Sequence, residues 1–266
     1  MPNSDSRLIS LSALREEGRH ADALVLLQQL FAEAEQAIAP SRTSYFMIML
    51  EWKFLTDLHT PAQLALKIER NEQIRLLLAG EPYAGRDGSD PQAGDLFRRA
   101  SRFSLIVEMN ETLGDARSTA DLFAQLDASA PELARQYAWQ ALPAVVEMDN
   151  FTLAERYRTA PLAHLGMVNA LAASLPLFPA PGTAPRLAAE LMNLLRDVRI
   201  TAAVLRGQEQ AAEADTLYAA LLALAALPGL ASADCGKVSV VSMNWQSDEV
   251  LAQIDRFILN KGYGCE

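Results

Sequence analysis

The sequence predicts an all-α protein, and three observations support this prediction. Alanine and leucine account for 45 and 41 of the 266 residues, and both residue types favour helices. Aromatic residues, which favour strands as β-branched residues do, make up only 7% of the chain. Apolar residues also recur at three- and four-residue spacing, which is the period of an amphipathic helix. We therefore expect antiparallel helical hairpins that stack as a solenoid or pack as an irregular bundle.

The N-terminal part predicts four helices in succession. Residues 7 to 39 carry two apolar stripes on either side of Gly18, so we expect a helical hairpin that turns at this glycine. A third, very apolar helix is expected over residues 41 to 58. The dipeptide formed by Thr60 and Pro61 is typical of a helix N-terminus and predicts the start of a fourth helix.

Two breaks divide the remainder of the chain. The first, residues 80 to 94, contains four glycines and two prolines and is long enough for a functional loop. The second, residues 176 to 185, contains four prolines. We expect one all-α domain over residues 1–266, which could divide into helical repeats over 1–175 and C-terminal helices over 186–266. The remaining predicted elements are one short strand over 237–241 and helices over 95–113, 116–128, 131–148, 152–159, 186–206, 208–227 and 247–260.

Four helix junctions share one pattern, in which a turn residue is followed five positions later by a small residue. Two antiparallel helices can approach closely only where a small side chain lies at their crossing, and the turn itself favours a flexible residue. The pairs are Gly18 with Ala23, Gly114 with Thr119, Asp149 with Ala154, and Gly207 with Ala212.

At these junctions the sequence resembles the tetratricopeptide repeat, a helix-turn-helix unit of about 34 residues that stacks into a superhelix. Gly114 and Asp149 are 35 residues apart, close to that period, whereas the other turn residues do not fit a multiple of it. The aromatic and Leu-Gly-Tyr positions of the repeat's first helix are mostly absent. The resemblance covers about half of the chain. It implies protein or peptide binding on a concave face, and it brings no catalytic residues with it.

The charge of the chain narrows the classes of partner. With 33 acidic and 23 basic residues the formal charge is −10, which argues against nucleic-acid binding, because a phosphate backbone needs a cationic surface. The N-terminus lacks the pattern of a secretory signal, and the most apolar window, residues 216 to 230, is shorter than a bilayer span of about 20 residues. We therefore expect a cytoplasmic protein that does not enter the membrane.

No motif in the sequence predicts catalysis, a cofactor or a metal. His20, His59 and His164 are far apart in sequence and form no zinc motif. The sequence contains no nucleophile elbow, phosphate-binding loop or dinucleotide fingerprint. Cys235 and Cys265 lie outside any metal-type cluster, and spacing alone leaves open whether they interact.

Five residues are candidates for contacts with a partner protein. Glu51, Glu108 and Glu147 each follow apolar residues, and a carboxylate in such a setting must be paired, protonated or directed into a groove. Two interpretations stay open: a salt bridge on the narrow polar side of a buried helix, or an acidic concave surface for a basic partner. An acid–base pair for hydrolysis has less support. Trp52 and Trp139 lie in predicted helices with strong apolar stripes and could pack in the core or contact the partner.

The leading hypothesis is a non-catalytic scaffold, an inhibitor or immunity-type protein or an adaptor, that binds a dedicated basic protein through an acidic surface. The alternative is a helical enzyme or small-ligand-binding protein whose pocket lies near residues 80–94. The apolar run from Leu221 to Leu227 also leaves association between copies of the chain open.

Overall fold

The computed structural model describes residues 3–88, 99–175, 183–184 and 186–224. Within these ranges the chain forms eleven α-helices, and its only β-type pairings are isolated bridges, which confirms the all-α prediction. Among the described helices none is both long and apolar enough to cross a membrane. Several predicted features lie outside the described residues. They are the strand over 237–241, the helix over 247–260, the end of the apolar run from Leu221 to Leu227, and both cysteines.

The chain divides into two compact units, Met1–Tyr157 and Arg158–Glu266. The division therefore falls before the proline-rich break at 176–185, because α9 packs against α10 and α11. The sequence patterns did not predict α9. The first unit contains α1 (Asn3–Glu16), α2 (His20–Gln36), α3 (Arg42–Leu58), α4 (Thr60–Leu78), α5 (Arg102–Leu113), α6 (Ala116–Ser129), α7 (Pro131–Glu147) and α8 (Phe151–Tyr157). The second unit contains α9 (Pro161–Ala172), α10 (Arg186–Gly207) and α11 (Ala211–Leu224).

In the first unit, each helix packs against the next one along the chain, and the odd-numbered helices also contact one another in the order α1, α3, α5, α7. One core cluster of this unit is built from large side chains that are almost completely buried, among them Leu27, Phe31, Tyr45, Trp52 and Leu66. This packing buries the side of α3 that faces α2 and α4 and leaves its opposite side between α1 and α5 exposed.

Three of the four predicted turn residues have the left-handed conformation that the pattern requires. Gly18, Gly114 and Asp149 have φ values of 75°, 63° and 57°. The small residues that follow five positions later are all buried, which lets the paired helices approach closely. Each turn is a Schellman motif, with hydrogen bonds from the amide of Arg19 to the carbonyl of Leu14, of Asp115 to Asn110, and of Asn150 to Val145.

The fourth turn lies two residues later than predicted. Gly207 is the last residue of α10, and Glu209 adopts the left-handed conformation instead, with a φ of 64°. The buried small residue is Ala214, whereas Ala212 is exposed. The turn moves because the buried stripe of α10 extends to Leu205, and the left-handed residue comes four positions after it, as Asp149 follows the buried Val145. The pattern is therefore the same, in a shifted register.

The prediction of a continuous helix over 95–113 is corrected at residues 99–101, whose backbone is extended, and residues 95–98 lie outside the described residues. The amide of Ala84 donates to the carbonyl of Ala100, and the amide of Ala100 donates to that of Pro40, both at 2.9 Å. Three connecting segments, 37–41, 82–86 and 99–101, are thereby joined. Helix α5 begins only after Ser101, whose hydroxyl accepts a hydrogen bond from the amide of Ser104.

Candidate functional site

Two of the five predicted partner contacts are core residues. Glu51 is only 3% exposed and Trp52 is fully buried. The carboxylate of Glu51 accepts hydrogen bonds from the hydroxyl of Ser12 at 2.7 Å and from Nε of Arg15 at 2.9 Å. Glu51 is thus the buried counter-ion of an α1–α3 contact, and its assignment to a binding surface is corrected, as is that of Trp52.

The other three predicted residues lie towards solvent on α5 and α7. These helices contact each other through a hydrogen bond of 3.0 Å from the hydroxyl of Ser104 to Oε1 of Gln140. Glu108 lies one turn beyond Ser104 on the same side of α5 and is half-buried, and Glu147 lies two turns beyond Gln140 and is exposed. Trp139 is 51% exposed. The structure therefore places Glu108, Trp139 and Glu147 on adjacent helices, away from Glu51.

The exposed side of α3 carries an apolar stripe that the sequence patterns did not predict. Phe46, Phe54 and Leu58 are 62%, 41% and 53% exposed, and Leu50 between them is half-buried. Their spacing of four residues places them along one side of the helix. Met47, which is 37% exposed, lies beside the stripe. The sequence did contain a signal for this stripe, because α3 has more apolar residues than the buried side of one helix can accommodate.

Charged side chains border this stripe on both sides. On the α1 side, the guanidinium of Arg15 lies 4.9 Å from the centre of the Phe54 ring. On the α5 side, burial raises the pKa of Glu108 and of Glu111, while the positive charge of Lys53 acts in the opposite direction on both. We call this surface the odd-helix face; it comprises Phe46, Met47, Leu50, Lys53, Phe54, Leu58, Glu108 and Glu111, with Trp139 and Glu147 on α7.

A cleft lies where the alternative hypothesis expected a pocket. It has a volume of about 670 Å³ and is bounded by α2, α4 and residues 80–87, with Arg99 and Arg102 also in its lining. Its carboxylates are Glu35, Glu69, Glu72, Glu81 and Asp87.

Arg102 forms the buried base of this cleft. Only 2% of its side chain is exposed, and it donates to Oε2 of Glu35 and to the carbonyl of Glu81, each at 3.0 Å, and to Oε1 of Gln73. In contrast, Glu69 is half-buried, and its pKa is raised by burial and by the nearby carboxylates of Glu35 and Glu72. The cleft thus contains a buried cation with hydrogen-bond partners, Arg102, and a carboxylate, Glu69, whose charged form is disfavoured by burial and by neighbouring negative charge.

The structure also brings histidines close to groups that are distant in sequence. The rings of His20 and His59 are 5.9 Å apart. In the second unit, Nδ1 of His164 lies 2.9 Å from Oδ2 of Asp197 and its Nε2 lies 3.4 Å from Oε2 of Glu190. Both ring nitrogens therefore face α10 carboxylates, which suits a structural link better than a general base. Within the ranges listed above, no group of three or more His, Cys, Asp or Glu residues is placed to hold a metal ion.

No family model matches the chain, and comparisons with curated proteins and with solved structures likewise find no match. The similarity to the tetratricopeptide repeat therefore rests on the hairpin pattern alone. Among the described residues, the odd-helix face and the cleft are the two candidate functional surfaces.

Proposed function

We propose that the first unit is a non-catalytic protein-binding module that holds a segment of a partner protein on the odd-helix face. The observation that carries the proposal is the exposed stripe of Phe46, Leu50, Phe54 and Leu58. Contiguous exposed apolar surface is costly in water and commonly marks a protein interaction site. Residues four positions apart on a helix are also the arrangement that helix-in-groove recognition uses.

The charge of the chain supports a partner of opposite sign. The formal charge is −10, and Glu108, Glu111 and Glu147 lie on the odd-helix face. Complementary charge speeds association and selects among partners. We propose an inhibitor or adaptor that recognises one dedicated basic protein, in keeping with the concave-face binding that the repeat resemblance implies.

A double variant of the stripe tests this proposal. Affinity capture from the source cells at low and high salt identifies the partner, and its dissociation constant is then measured with purified proteins. Phe46→Ala combined with Phe54→Ala should weaken binding by about 30-fold, the effect of losing a hot spot of roughly 2 kcal/mol. Leu64→Ala combined with Ile68→Ala on α4 is the matched control, because these residues are 63% and 61% exposed. An equal loss in both variants would contradict the proposal.

The cleft supports a second candidate function, the binding of a small ligand. Its volume of about 670 Å³ falls within the usual range of ligand sites. The half-buried Glu69, with its raised pKa, is a group that a cationic ligand would stabilise. A metabolite screen that follows the melting temperature tests this candidate. A compound that stabilises the natural protein and has no effect on Glu69→Gln would support it. Equal stabilisation of both proteins would exclude the cleft.

A further inference from the structure

The charges beside the α3 stripe indicate what kind of partner segment the odd-helix face fits, an inference that rests on the proposed function. We propose that the face recognises an amphipathic α-helix whose apolar stripe is bordered by Lys or Arg on the side that meets α5. Three observations lead to this partner: the length of the stripe, the acidic pair on α5 and the position of Arg15 on α1.

The length of the stripe sets the length of the partner helix. Phe46 and Leu58 are separated by twelve residues of α3, or about 18 Å at the rise of an α-helix. A partner helix that covers this distance needs about three turns. Its own apolar residues at three- and four-residue spacing would then meet Phe46, Leu50 and Phe54.

The acidic pair on α5 sets the charge of the partner on one side. The described residues offer the carboxylates of Glu108 and Glu111 neither an ion pair nor a side-chain hydrogen bond, although Lys53 and, for Glu108, Arg42 lie near enough to act on their pKa values. Glu108 is half-buried and has already lost part of its hydration in the unbound protein, whereas Glu111 is exposed beside it. A Lys or Arg of the partner would therefore gain the attraction of Glu108 at a smaller desolvation cost than at a fully hydrated site, and the charge of Glu111 would add to that attraction.

On the α1 side, the charged group that borders the stripe is a cation that already has a counter-ion. Arg15 stacks on Phe54 and is also paired with Glu51, so its guanidinium is held in place beside the stripe. A basic side chain of the partner would find no unpaired carboxylate in this pair, whereas Glu108 and Glu111 would attract it on the α5 side. The face therefore selects a helix that is basic on one side of its apolar stripe and neutral or acidic on the other.

A display library of amphipathic helical peptides tests the inference on the full chain. The library keeps the apolar positions of each peptide fixed and varies the positions on both sides among Lys, Arg, Glu and Gln. We expect Lys and Arg to be enriched on one side only. The binding of a selected peptide is then measured against the double variant Glu108→Gln with Glu111→Gln. It should weaken by about 10-fold at low salt, and the difference should shrink at high salt, because screening weakens charge pairs.

The outcomes separate this inference from the proposed function. Peptides that lose binding to the Phe46→Ala and Phe54→Ala double variant but show no basic enrichment would overturn the inference and leave the proposed function standing. A selection without any peptide that depends on the stripe would overturn the proposed function as well. Sedimentation of the unbound protein tests whether a second copy of the chain occupies the face instead. A dimer that the Phe46→Ala and Phe54→Ala double variant converts to a monomer would assign the face to that second copy and overturn the inference.

Discussion

Arg15 and Glu51 form an ion pair between α1 and α3, with Nε of the arginine 2.9 Å from Oε2 of the glutamate. Only 19% of the Arg15 side chain and 4% of the Glu51 side chain are exposed. The same arginine stacks on Phe54, so the pair positions one border of the odd-helix face. A carboxylate predicted to contact a partner thus has a structural role, because it fixes α1 beside the odd-helix face.

Charge reversal should separate this structural role from a surface role. Glu51→Lys places a second cation beside Arg15 in a buried site and should lower the free energy of unfolding by at least about 3 kcal/mol, the cost of breaking a buried pair. Glu147→Lys is the control, because Glu147 is exposed, and should change stability by no more than about 0.5 kcal/mol. Urea denaturation of both variants measures the difference. Equal stabilities would show that Glu51 is not held as the structure describes.

The sequence predicts where the helices of this protein lie better than it predicts which residues of other helices they contact. The hairpin turn at Gly18 follows from local pattern, because a Schellman motif depends on only a few consecutive residues. The role of Glu51 does not, because its partner Arg15 lies 36 positions away on another helix. Glu51 and Glu108 have similar apolar surroundings in sequence, yet one is paired in the core and the other borders an exposed stripe. Which side of α3 faces solvent is decided by the packing of α1, α2, α4 and α5 around it.

The long loop illustrates the same limit. Its glycines and prolines indicated an irregular segment and a nearby pocket, and the structure has a cleft there. Local pattern could not show that Ala84 pairs with Ala100, or that this pairing delays the start of α5 until Arg102. Contacts between segments far apart in sequence decide such details, and a single sequence does not contain them.

Gly85 should tolerate a side chain much less well than a glycine in an open turn. A Cβ atom on Gly85 would lie 2.2 Å from Cδ of Pro40 and 2.8 Å from the carbonyl oxygen of Ala37, at a φ of 72°. Gly114 has a similar φ of 63° with open space around it. Gly114→Ala should therefore cost only the backbone strain of about 1 kcal/mol, whereas Gly85→Ala should cost roughly 3 kcal/mol because overpacking is added. Thermal unfolding of the two variants measures the difference. A smaller loss of stability in Gly85→Ala than in Gly114→Ala would contradict the close packing of Gly85 against Pro40 and Ala37.

The two turns that lack glycine offer stabilising substitutions. Asp149 and Glu209 have φ values of 57° and 64°, a conformation that glycine adopts without strain. Glu209→Gly should raise the stability of the second unit by about 1 kcal/mol, and Asp149→Gly should give the first unit a smaller gain, because Asp tolerates this conformation better. Gln208→Gly, next to the turn but outside the left-handed region, is the control and should not stabilise. Loss of stability in Glu209→Gly would show that the turn lies elsewhere.

Asp115 should make the first unit sensitive to acid. Its pKa is lowered chiefly by a hydrogen bond from Arg70, which is 2.8 Å away. A depressed pKa in the folded state stabilises the fold above the unfolded-state value, near 3.9, and this contribution is lost as the pH falls through the folded-state value. Asp115→Asn keeps a residue type that caps helices well, here α6. This variant should be less stable than the natural protein at pH 7, and the difference should vanish in acid. Melting temperatures from pH 7 to pH 2 provide the test.

Glu69 should show the opposite dependence on pH. Burial raises its pKa first, and the charges of Glu35 and Glu72 add to that effect, so the folded state binds this proton more tightly than the unfolded chain does. The charged carboxylate therefore destabilises the fold at neutral pH, and acidification relieves this cost. Glu69→Gln should raise the free energy of unfolding at pH 7, and the gain should shrink as the pH falls and the natural carboxyl takes up its proton.

Glu72→Gln is the matched control for Glu69→Gln. Both glutamates lie on α4 and line the cleft, but the pKa of Glu72 is lowered by its hydrogen bond with Arg75. Removing this charge breaks the pairing with Arg75, which offsets the relief of its repulsion on Glu69, so this variant should show no gain in stability at pH 7. A gain in both variants would attribute the effect to the net charge of the chain, whereas a gain in Glu69→Gln alone would assign it to the half-buried carboxylate of the cleft.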